Sequence, residues 1–239
     1  MSNPYFQFKQ FTVRHDKCAM KVGTDGVLLG AWVPVQNTKR ILDVGTGSGL
    51  ISLQLAQRNP KALITSIEID PAAAAQAQEN IQSSPWNDRM EIICCDFRNY
   101  NPEHKFDLIV SNPPYFVDAL KCPDNQRCTA RHTSDLNYEL LFGHSTHILS
   151  EQGIIGIIIP SEVENTVIDT AWKYNFHPYC RLRVFTKPGK PYRRVLLTFG
   201  YQNLPCIEES LYIEGEKHGQ FTPAYIALTK DFYLRMYCS

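Results

Sequence analysis

The sequence predicts an α/β fold, in which a doubly wound and mostly parallel sheet is covered by helices on both faces. Short apolar runs bounded by turn residues alternate with segments of helical periodicity, which is typical of βαβ units. The first run leads directly into a glycine-rich turn and a helix. With 239 residues, the chain can form one domain with a substantial core. We expect a single domain over 1–239, made of an N-terminal segment (1–37), a core (38–200) and a C-terminal strand and helix (201–239).

Composition excludes several classes of protein. The 24 basic residues balance the 24 acidic residues, so no overall field draws the chain to DNA or to an anionic membrane, and any basic surface must be local. No apolar run approaches the length of a bilayer span, and the N-terminus lacks the apolar segment of a signal peptide, which predicts a cytoplasmic protein. The eight cysteines and seven histidines show no metal-ligand spacing, so we expect no metal site. No obligate protein partner is evident.

The N-terminal segment carries alternating aromatic residues and a helix start. Phe6 and Phe8 begin the alternation, which predicts a short strand or a lid. Thr24 and Asp25 can cap a helix whose first turn is 26–29. The free N–H groups at such a helix end can hold a carboxylate. An ordinary capped helix explains this stretch equally well.

The first strand of the core ends in Asp43 and is followed by a glycine-rich turn and a helix. The glycines of the turn are Gly45, Gly47 and Gly49. A strand, a glycine turn and a helix open a nucleotide-binding βαβ unit, because glycines let the backbone approach a ligand closely. The dinucleotide fingerprint is not met, since its sixth position is Leu50. Asp43 could accept from an ammonium group, directly or through water. A glycine-rich turn without a ligand is the alternative.

The next two strands also end in acidic residues. Glu68 ends the second strand about 20 positions beyond the glycine turn, where a carboxylate can bind ribose hydroxyls. Asp70 is expected to cap the following helix. Asp96 ends the third strand and could accept from an adenine amine, with Phe97 beside it to pack on the base. Each of these acids could instead be a simple cap or turn residue.

The fourth strand, over 106–111, ends in the tetrapeptide Asn112-Pro113-Pro114-Tyr115. Two prolines fix the backbone and donate no hydrogen bonds, so this stretch can form a rigid, narrow mouth for a planar amine. We expect Asn112 and a neighbouring carbonyl to accept from the amine, and Tyr115 to stack on its ring. A strand followed by a Pro-Pro turn is the alternative. Ligands of parallel sheets bind beyond the carboxyl ends of the strands, so all four endings should converge on one crevice.

Two later stretches could contact a phosphate backbone. Residues 116–137 are expected to form a loop or short helix beside the crevice, with Arg127 and Arg131. A later loop before the last core strand carries several basic residues, which are Lys187, Lys190, Arg193 and Arg194. With Tyr192 among them, they could hold phosphates and stack a base. A solvated hairpin tip is an equally good interpretation.

In this order and combination, the residues resemble the class I S-adenosylmethionine-dependent methyltransferases. Two further stretches, 18–26 and 227–234, look like the bacterial tRNA1(Val) adenine-N(6) methyltransferases, which methylate the adenosine just 3′ of the anticodon. The resemblance implies a Rossmann-like, seven-stranded sheet with an antiparallel edge strand. It also implies S-adenosyl-L-methionine as the cofactor and tRNA as the substrate.

The resemblance gives each candidate residue a role. The glycine turn would hold the methionine end of the cofactor, Glu68 its ribose, and Asp96 with Phe97 its adenine. Three residues lie where the family's N-terminal segment closes over the cofactor, namely Lys21, Thr24 and Asp25. If Asn112 and the Pro113 carbonyl accept both amine protons, the nitrogen lone pair turns to the sulfonium methyl and no strong base is needed.

The tetrapeptide by itself indicates only a planar NH₂ group as the methyl acceptor. A glutamine side chain of a protein (N5) and the 2-amino group of a ribosomal RNA guanine are therefore alternative substrates. The short N-terminus leaves no room for the helical recognition domain that the glutamine enzymes have. A cofactor-binding module that senses or scaffolds RNA without methyl transfer is the non-enzyme alternative.

Overall fold

The structure is a computed structural model that describes residues 3–114, 136–217 and 219–236. The strands in these ranges are β1 Tyr5–Gln7, β2 Thr12–Arg14, β3 Arg40–Val44, β4 Leu63–Glu68, β5 Met90–Cys94, β6 Phe106–Ser111, β7 Leu149–Pro160, β8 His177–Phe185, β9 Arg194–Gly200 and β10 Ile207–Tyr212. The α-helices are α1 Thr24–Trp32, α2 Leu50–Arg58, α3 Pro71–Gln82, α4 Tyr138–Ile148, α5 Glu164–Lys173 and α6 Pro223–Thr229. None of these helices has the length and apolarity that crossing a bilayer requires.

Eight of the strands form one sheet in the order β10-β8-β9-β7-β6-β3-β4-β5. All of them except β9 run in the same direction. Asp43 of β3 is paired with Val110 of β6 and with Ser66 of β4. Glu68, two residues beyond Ser66, is paired with Cys94 of β5. The carboxyl ends of these four strands therefore lie side by side at one edge of the sheet, as the sequence predicted.

The sheet differs in two details from the seven-stranded sheet with an antiparallel edge strand that we expected. The strand expected within 201–239 is β10, which begins at Ile207 and pairs in parallel with β8, so it adds an eighth strand at the edge. The antiparallel strand β9 lies inside the sheet, between β7 and β8. Strands β8 and β9 are consecutive and form a hairpin, so they must run antiparallel, and β9 is the member that contacts β7.

Helices cover both faces of the sheet because alternate residues of each strand point to opposite sides. Ile41 of β3 belongs to a buried cluster with Leu28 of α1 and Leu53 of α2. Its neighbour Leu42 belongs to a second cluster with Leu141 of α4 and Ile168 of α5. This arrangement is the doubly wound architecture that the sequence predicted.

The N-terminal hairpin of β1 and β2 packs beside the main sheet and contacts the other end of the chain. The Phe8 ring stacks on that of Phe11 at a centroid distance of 4.7 Å, and Phe8 forms an isolated backbone bridge with Tyr233. Phe6 therefore lies in the short strand β1, which is one of the two expected outcomes, whereas Phe8 lies just beyond the end of this strand.

Candidate active site

The glycine turn between β3 and α2 has three residues in the left-handed region. The φ angles of Gly45, Gly47 and Gly49 are 70°, 56° and 80°. A Cβ on Gly49 would lie 3.5 Å from the Cβ of Ala77, so α2 and α3 approach closely at this point. A Cβ on Gly47 would meet no atom within 4 Å. Because Gly47 lines the crevice described below, a side chain there would project into the space that a ligand would occupy.

Asp43 lies beneath this turn and not on a wall of the crevice. Its side chain is fully buried, and its Oδ2 accepts hydrogen bonds from Thr46 Oγ1 at 2.6 Å and Ser52 Oγ at 2.7 Å. Its Oδ1 is buried without a hydrogen-bond partner. Burial raises the pKa of Asp43 to about 6, although the two hydroxyl donors act in the opposite direction. Asp43 therefore supports the turn and leaves one acceptor unused.

The crevice at the carboxyl edge of the sheet has two connected lobes. The first lobe has a volume of about 250 Å³ and the second of about 290 Å³. Both are lined by Met20, Gly45, Gly47 and Asn112. The first lobe extends over the ends of β4 and β5 to Glu68, Asp96 and Phe97. The second extends over the start of α1 to Lys21, Thr24 and Asp25. The structure thus brings together nearly all of the cofactor-binding residues predicted from the sequence.

Glu68 joins the end of β4 to the glycine turn. Its Oε2 accepts from the backbone N–H of Gly47 at 2.8 Å, and its Oε1 accepts from the N–H of Asp70 at 3.0 Å. Each carboxylate oxygen has a second lone pair, so the group can still accept from a ligand in the first lobe. Asp70 caps α3 by accepting from the N–H groups of Ala72 and Ala73. The predicted role of Asp70 as a helix cap is therefore confirmed, and the role of Glu68 as a ribose acceptor stays a prediction.

Asp96 and Phe97 form the far wall of the first lobe. Asp96 also begins a short 3₁₀ turn, in which it accepts from the N–H of Arg98 at 2.9 Å. The Arg98 guanidinium bonds to the same carboxylate and lowers the pKa of Asp96. The Phe97 ring is buried and meets the His144 ring edge-on at a centroid distance of 4.7 Å. Asp96 is therefore both a turn residue and a lining residue.

Asn112 lies where the two lobes meet, directly beyond β6. The preceding residue fixes this strand end, because Ser111 Oγ donates to the carbonyl of Val44 at 2.8 Å. Pro113 is buried and Pro114 is exposed on the wall of the first lobe. Tyr115, Arg127 and Arg131, which were also predicted as site residues, lie outside the described residues.

The start of α1 forms the floor of the second lobe, with a boundary that differs from the prediction. The helix begins at Thr24, and Gly23 is its N-cap without a side-chain hydrogen bond. Thr24 and Asp25 are thus in the first helical turn and are not its caps. The Asp25 carboxylate instead accepts from Arg194 Nε at 2.7 Å. This ion pair connects the second lobe to the first residue of β9.

The basic loop between β8 and β9 lies at the same edge of the sheet as the crevice, because β8 ends there and β9 starts there. Lys187 and Lys190 are exposed, and Arg193 is 66% exposed with its guanidinium 4.0 Å from Glu162. Tyr192 does not project outward: its hydroxyl bonds to Glu164 Oε2 at 3.2 Å. The loop therefore presents three cations at this edge, whereas Arg194 is paired with a residue of the crevice.

Sequence reasoning missed several residues that line the first lobe. They are Cys18, Ala19, Met20, Ile69, Cys95, Leu136 and Leu140. Ile69 and Cys95 are adjacent to predicted residues, so their positions could have been inferred. The stretch 18–20 directly precedes Lys21, and its apolar and small side chains gave no chemical signal. Among the described residues, no group of three His, Cys, Asp or Glu side chains is arranged to hold a metal ion.

Comparison with known proteins identifies the family. Residues 18–166 match the family model of the methyltransferase small domain. A tRNA1(Val) (adenine(37)-N6)-methyltransferase from Bacteroides thetaiotaomicron is 53% identical over 237 residues, which are 99% of this chain and 100% of that protein. This chain belongs to the tRNA1(Val) (adenine(37)-N6)-methyltransferase family.

Solved structures agree with this family in their fold. A predicted O-methyltransferase from Agrobacterium tumefaciens has a TM-score of 0.70 at 19% identity, covering 87% of this chain and 96% of that one. The glycopeptide N-methyltransferase MtfA, solved with S-adenosyl-L-methionine, has a TM-score of 0.54 at 11% identity, covering 76% and 100%. This member of the tRNA1(Val) (adenine(37)-N6)-methyltransferase family therefore has the Rossmann-like fold of class I methyltransferases.

The cofactor of this methyltransferase is S-adenosyl-L-methionine, and the crevice fits it in three respects. The acceptor Glu68 faces the first lobe at the position of a ribose-binding acid. The open space at Gly47 leaves the turn accessible between the lobes. The unused Oδ1 of Asp43 provides negative potential beneath the turn, which suits a ligand that carries both an ammonium and a sulfonium charge.

Proposed function

We propose that this chain transfers a methyl group from S-adenosyl-L-methionine to the 6-amino group of the adenosine that follows the anticodon of tRNA1(Val). The observation that carries the mechanism is the position of Asn112 at the junction of the two lobes. An acceptor at this junction can hold the amine of a substrate beside the reactive centre of a cofactor that spans both lobes. The substrate follows from the relatives, which are named for this adenine and match over their full length.

The cofactor would be held from three sides. The backbone of the glycine turn and the start of α1, with Lys21, Thr24 and Asp25, would hold its methionine part in the second lobe. Glu68 would accept from its ribose hydroxyls, and Asp96 and Phe97 would bind its adenine. When bound, the cofactor supplies an electrophilic methyl group on a sulfonium centre.

The protein's contribution to the reaction is to change the geometry of the substrate amine. An adenine amine donates its lone pair into the ring and is a poor nucleophile. Asn112 Oδ1 and the Pro113 carbonyl would accept hydrogen bonds from its two N–H groups, which favours a tetrahedral nitrogen whose lone pair points to the methyl group. After transfer, the positively charged nitrogen would release one of these protons to solvent. Tyr115 would stack on the base. Acceleration then comes from positioning and electrostatics, so no histidine or cysteine base is required.

The tRNA would lie across the carboxyl edge of the sheet. Strand β9 is two strand spacings from β6, or about 10 Å, so the basic loop lies within reach of nucleotides that flank a base held at Asn112. Lys187, Lys190 and Arg193 would contact the phosphates, and Arg127 and Arg131 are further proposed contacts. A base in an anticodon loop is not held in a duplex, so moving it out of its stack costs little free energy. We place the reaction in the cytoplasm, with the whole chain acting as one domain.

The test is to incubate the protein and labelled S-adenosyl-L-methionine with tRNA, ribosomal RNA and cell protein together, to separate these three fractions, and to digest each RNA to nucleosides. We expect label in N6-methyladenosine. Label in protein would support the glutamine alternative, label in 2-methylguanosine of ribosomal RNA would support the guanine alternative, and cofactor binding without transfer would support the RNA-binding module.

The role of Asn112 can be tested separately with Asn112→Ala. The variant should lose about a hundredfold to a thousandfold in kcat, which is the usual cost of removing one such electrostatic contact, while the Kd for the cofactor changes less than about threefold. Asn101→Ala, at an exposed residue, is the matched control. Retained activity in Asn112→Ala would contradict the mechanism but not the substrate.

A further inference from the structure

Helix α3 presents one polar face to the N-terminal stretch that covers the cofactor crevice. We call residues 14–22 the strap, because they run from the end of β2 across both lobes. The strap supplies Cys18, Ala19 and Met20 to the first lobe, and Met20 and Lys21 to the second. Beyond Arg14 it belongs to no helix or strand. The N–H of His15 donates to the carbonyl of Pro4 at 2.9 Å, and side-chain contacts hold the residues that follow.

Asn80 joins the strap to the glycine turn through three hydrogen bonds. The side chain is 2% exposed. Its Oδ1 accepts from the N–H of Arg14 at 2.9 Å, and its Nδ2 donates to the carbonyl of Arg14 at 2.8 Å. The same Nδ2 donates to the carbonyl of Ser48 in the glycine turn at 2.8 Å. Both N–H groups of this buried amide are thus used, and one residue links the start of the strap to the glycine turn.

Gln76 holds the strap one helical turn earlier. It is fully buried, and its Oε1 accepts from the N–H of Lys17 at 2.9 Å and from the thiol of Cys18 at 3.2 Å. Its Nε2 donates to Asp16 Oδ1 at 2.8 Å. Residues four apart lie on one face of a helix, so the side-chain amides of Gln76 and Asn80 are adjacent and both bind the strap by hydrogen bonds. Ala73, on the same face, lines the first lobe.

A third contact fixes the end of the strap. The N–H of Val22 can only donate, so His15 Nδ1 must accept this bond, at 3.3 Å. His15 Nε2 then carries the proton and donates to the carbonyl of Asn3 at 3.0 Å. The strap is therefore closed on itself at one end and bonded to α3 at the other. Buried amides impose a strict geometry, because an unsatisfied buried donor or acceptor is costly.

We propose that Gln76 and Asn80 are positioning residues for cofactor binding, which hold the strap over the crevice in its binding-competent position before the cofactor arrives. This inference rests on the proposed function only in assigning the crevice to S-adenosyl-L-methionine. Neither residue touches the lobes, since neither lines them. Both act through the strap, and Asn80 acts also through the glycine turn. When the strap is already ordered, less conformational entropy is lost as the cofactor binds. Loss of the hydrogen bonds from Gln76 and Asn80 therefore weakens cofactor binding without altering the methyl-transfer step.

The exchange of donor and acceptor between Gln76 and Asp16 gives a self-contained test. Asp16→Asn keeps an acceptor opposite Gln76 Nε2 and should behave as wild type. Gln76→Glu places two carboxylates against each other and should release the strap. The double variant Asp16→Asn/Gln76→Glu restores the bond with the roles reversed and should recover. Gln82→Ala, at an exposed position of the same helix, controls for changes in α3.

Three measurements on these proteins distinguish positioning from general stability. Without cofactor, hydrogen exchange of the Lys17 amide should be about tenfold faster in Gln76→Glu, as expected for loss of one hydrogen bond of ordinary strength. Calorimetry should show a Kd for S-adenosyl-L-methionine about tenfold higher. In tRNA methylation, KM for the cofactor should rise in parallel while kcat stays within about twofold. The double variant should return all three quantities toward wild type.

Several outcomes would overturn the inference. If Gln76→Glu exchanges faster but binds the cofactor as tightly as wild type, the strap contributes nothing to affinity. If the double variant is as defective as Gln76→Glu, the buried carboxylate itself is the cause and the pairing is irrelevant. Failure of the wild-type protein to bind the cofactor would instead contradict the proposed function, so the two failures are distinguishable.

Discussion

The buried carboxyl group of Asp43 should make the stability of the fold depend on pH, and Asp43→Asn should remove that dependence. Burial raises the pKa of Asp43 from 3.8 to about 6 in the folded chain. Between these two values, the folded chain holds a proton that the unfolded chain has released. The resulting stabilisation is complete below pH 3.8 and is lost as the pH rises through about 6.

The difference of about 2 between the two pKa values corresponds to about 3 kcal/mol. This is a large part of the 5–15 kcal/mol that is typical of a folded domain. Other carboxyl groups titrate in the same range, so the quantity to measure is the difference in unfolding free energy between wild type and Asp43→Asn. Urea titrations at pH 4, 5, 6 and 7 should show this difference moving by about 2 kcal/mol in favour of the variant as the pH rises, because the titration is incomplete at both ends of this range.

An amide cannot ionise, so any effect of altered hydrogen bonds in Asp43→Asn is constant with pH and does not contribute to this trend. Asp88→Asn, at an exposed aspartate, is the matched control and should follow wild type. Parallel profiles for wild type and Asp43→Asn would refute the reasoning, because they would mean that Asp43 binds protons equally in the folded and unfolded chains. The cofactor-free protein must be used, since a bound cation would favour the ionised carboxylate.

Two further predictions separate the functions of neighbouring residues. Arg193→Gln should reduce the salt slope of tRNA binding by about 1 and leave cofactor affinity unchanged. Arg194→Gln should instead weaken cofactor binding several-fold, because it removes the ion pair with Asp25 in the second lobe. Equal salt slopes for the two variants would contradict this assignment. Gly47→Ala should raise the Kd for S-adenosyl-L-methionine at least tenfold, because the added methyl group projects into the crevice and the backbone has φ 56°. Gly189→Ala introduces comparable backbone strain at φ 74° in open space, so a similar loss of cofactor affinity in that variant would show that strain alone explains the result.

The sequence predicted the elements of the site that depend on local pattern. A polar residue directly after a buried strand is visible in the sequence, and parallel strands bring such residues together. This reasoning identified Glu68, Asp96 and Asn112, all of which line one crevice. It also identified Asp70 as a cap, because an aspartate followed by proline begins a helix by a local mechanism.

The contacts that position these residues could not be predicted, because they depend on which helix face packs against which loop. Gln76 and Asn80 lie in an alanine-rich helix, where polar side chains usually mark the solvent-exposed face. Only the packing of the strap on α3 makes them buried. Arg194 was interpreted with the basic loop, but its partner Asp25 is 169 positions away. The position of β9 inside the sheet could not be predicted for the same reason, because the local sequence pattern does not specify which strands pair.

Glu68 both stabilises the local backbone of the site and faces the lobe in which the ribose of the cofactor would bind. Its carboxylate already accepts two backbone N–H groups, one from Gly47 and one from Asp70. The first bond shapes the glycine turn, and the second fixes the start of α3, the helix that carries Gln76 and Asn80. Ribose hydroxyls would bind to the remaining lone pairs, so cofactor binding needs neither bond to break. The same contacts therefore order the turn, the strap and the ribose acceptor together, and order that exists before binding lowers the conformational entropy that is lost when a ligand binds.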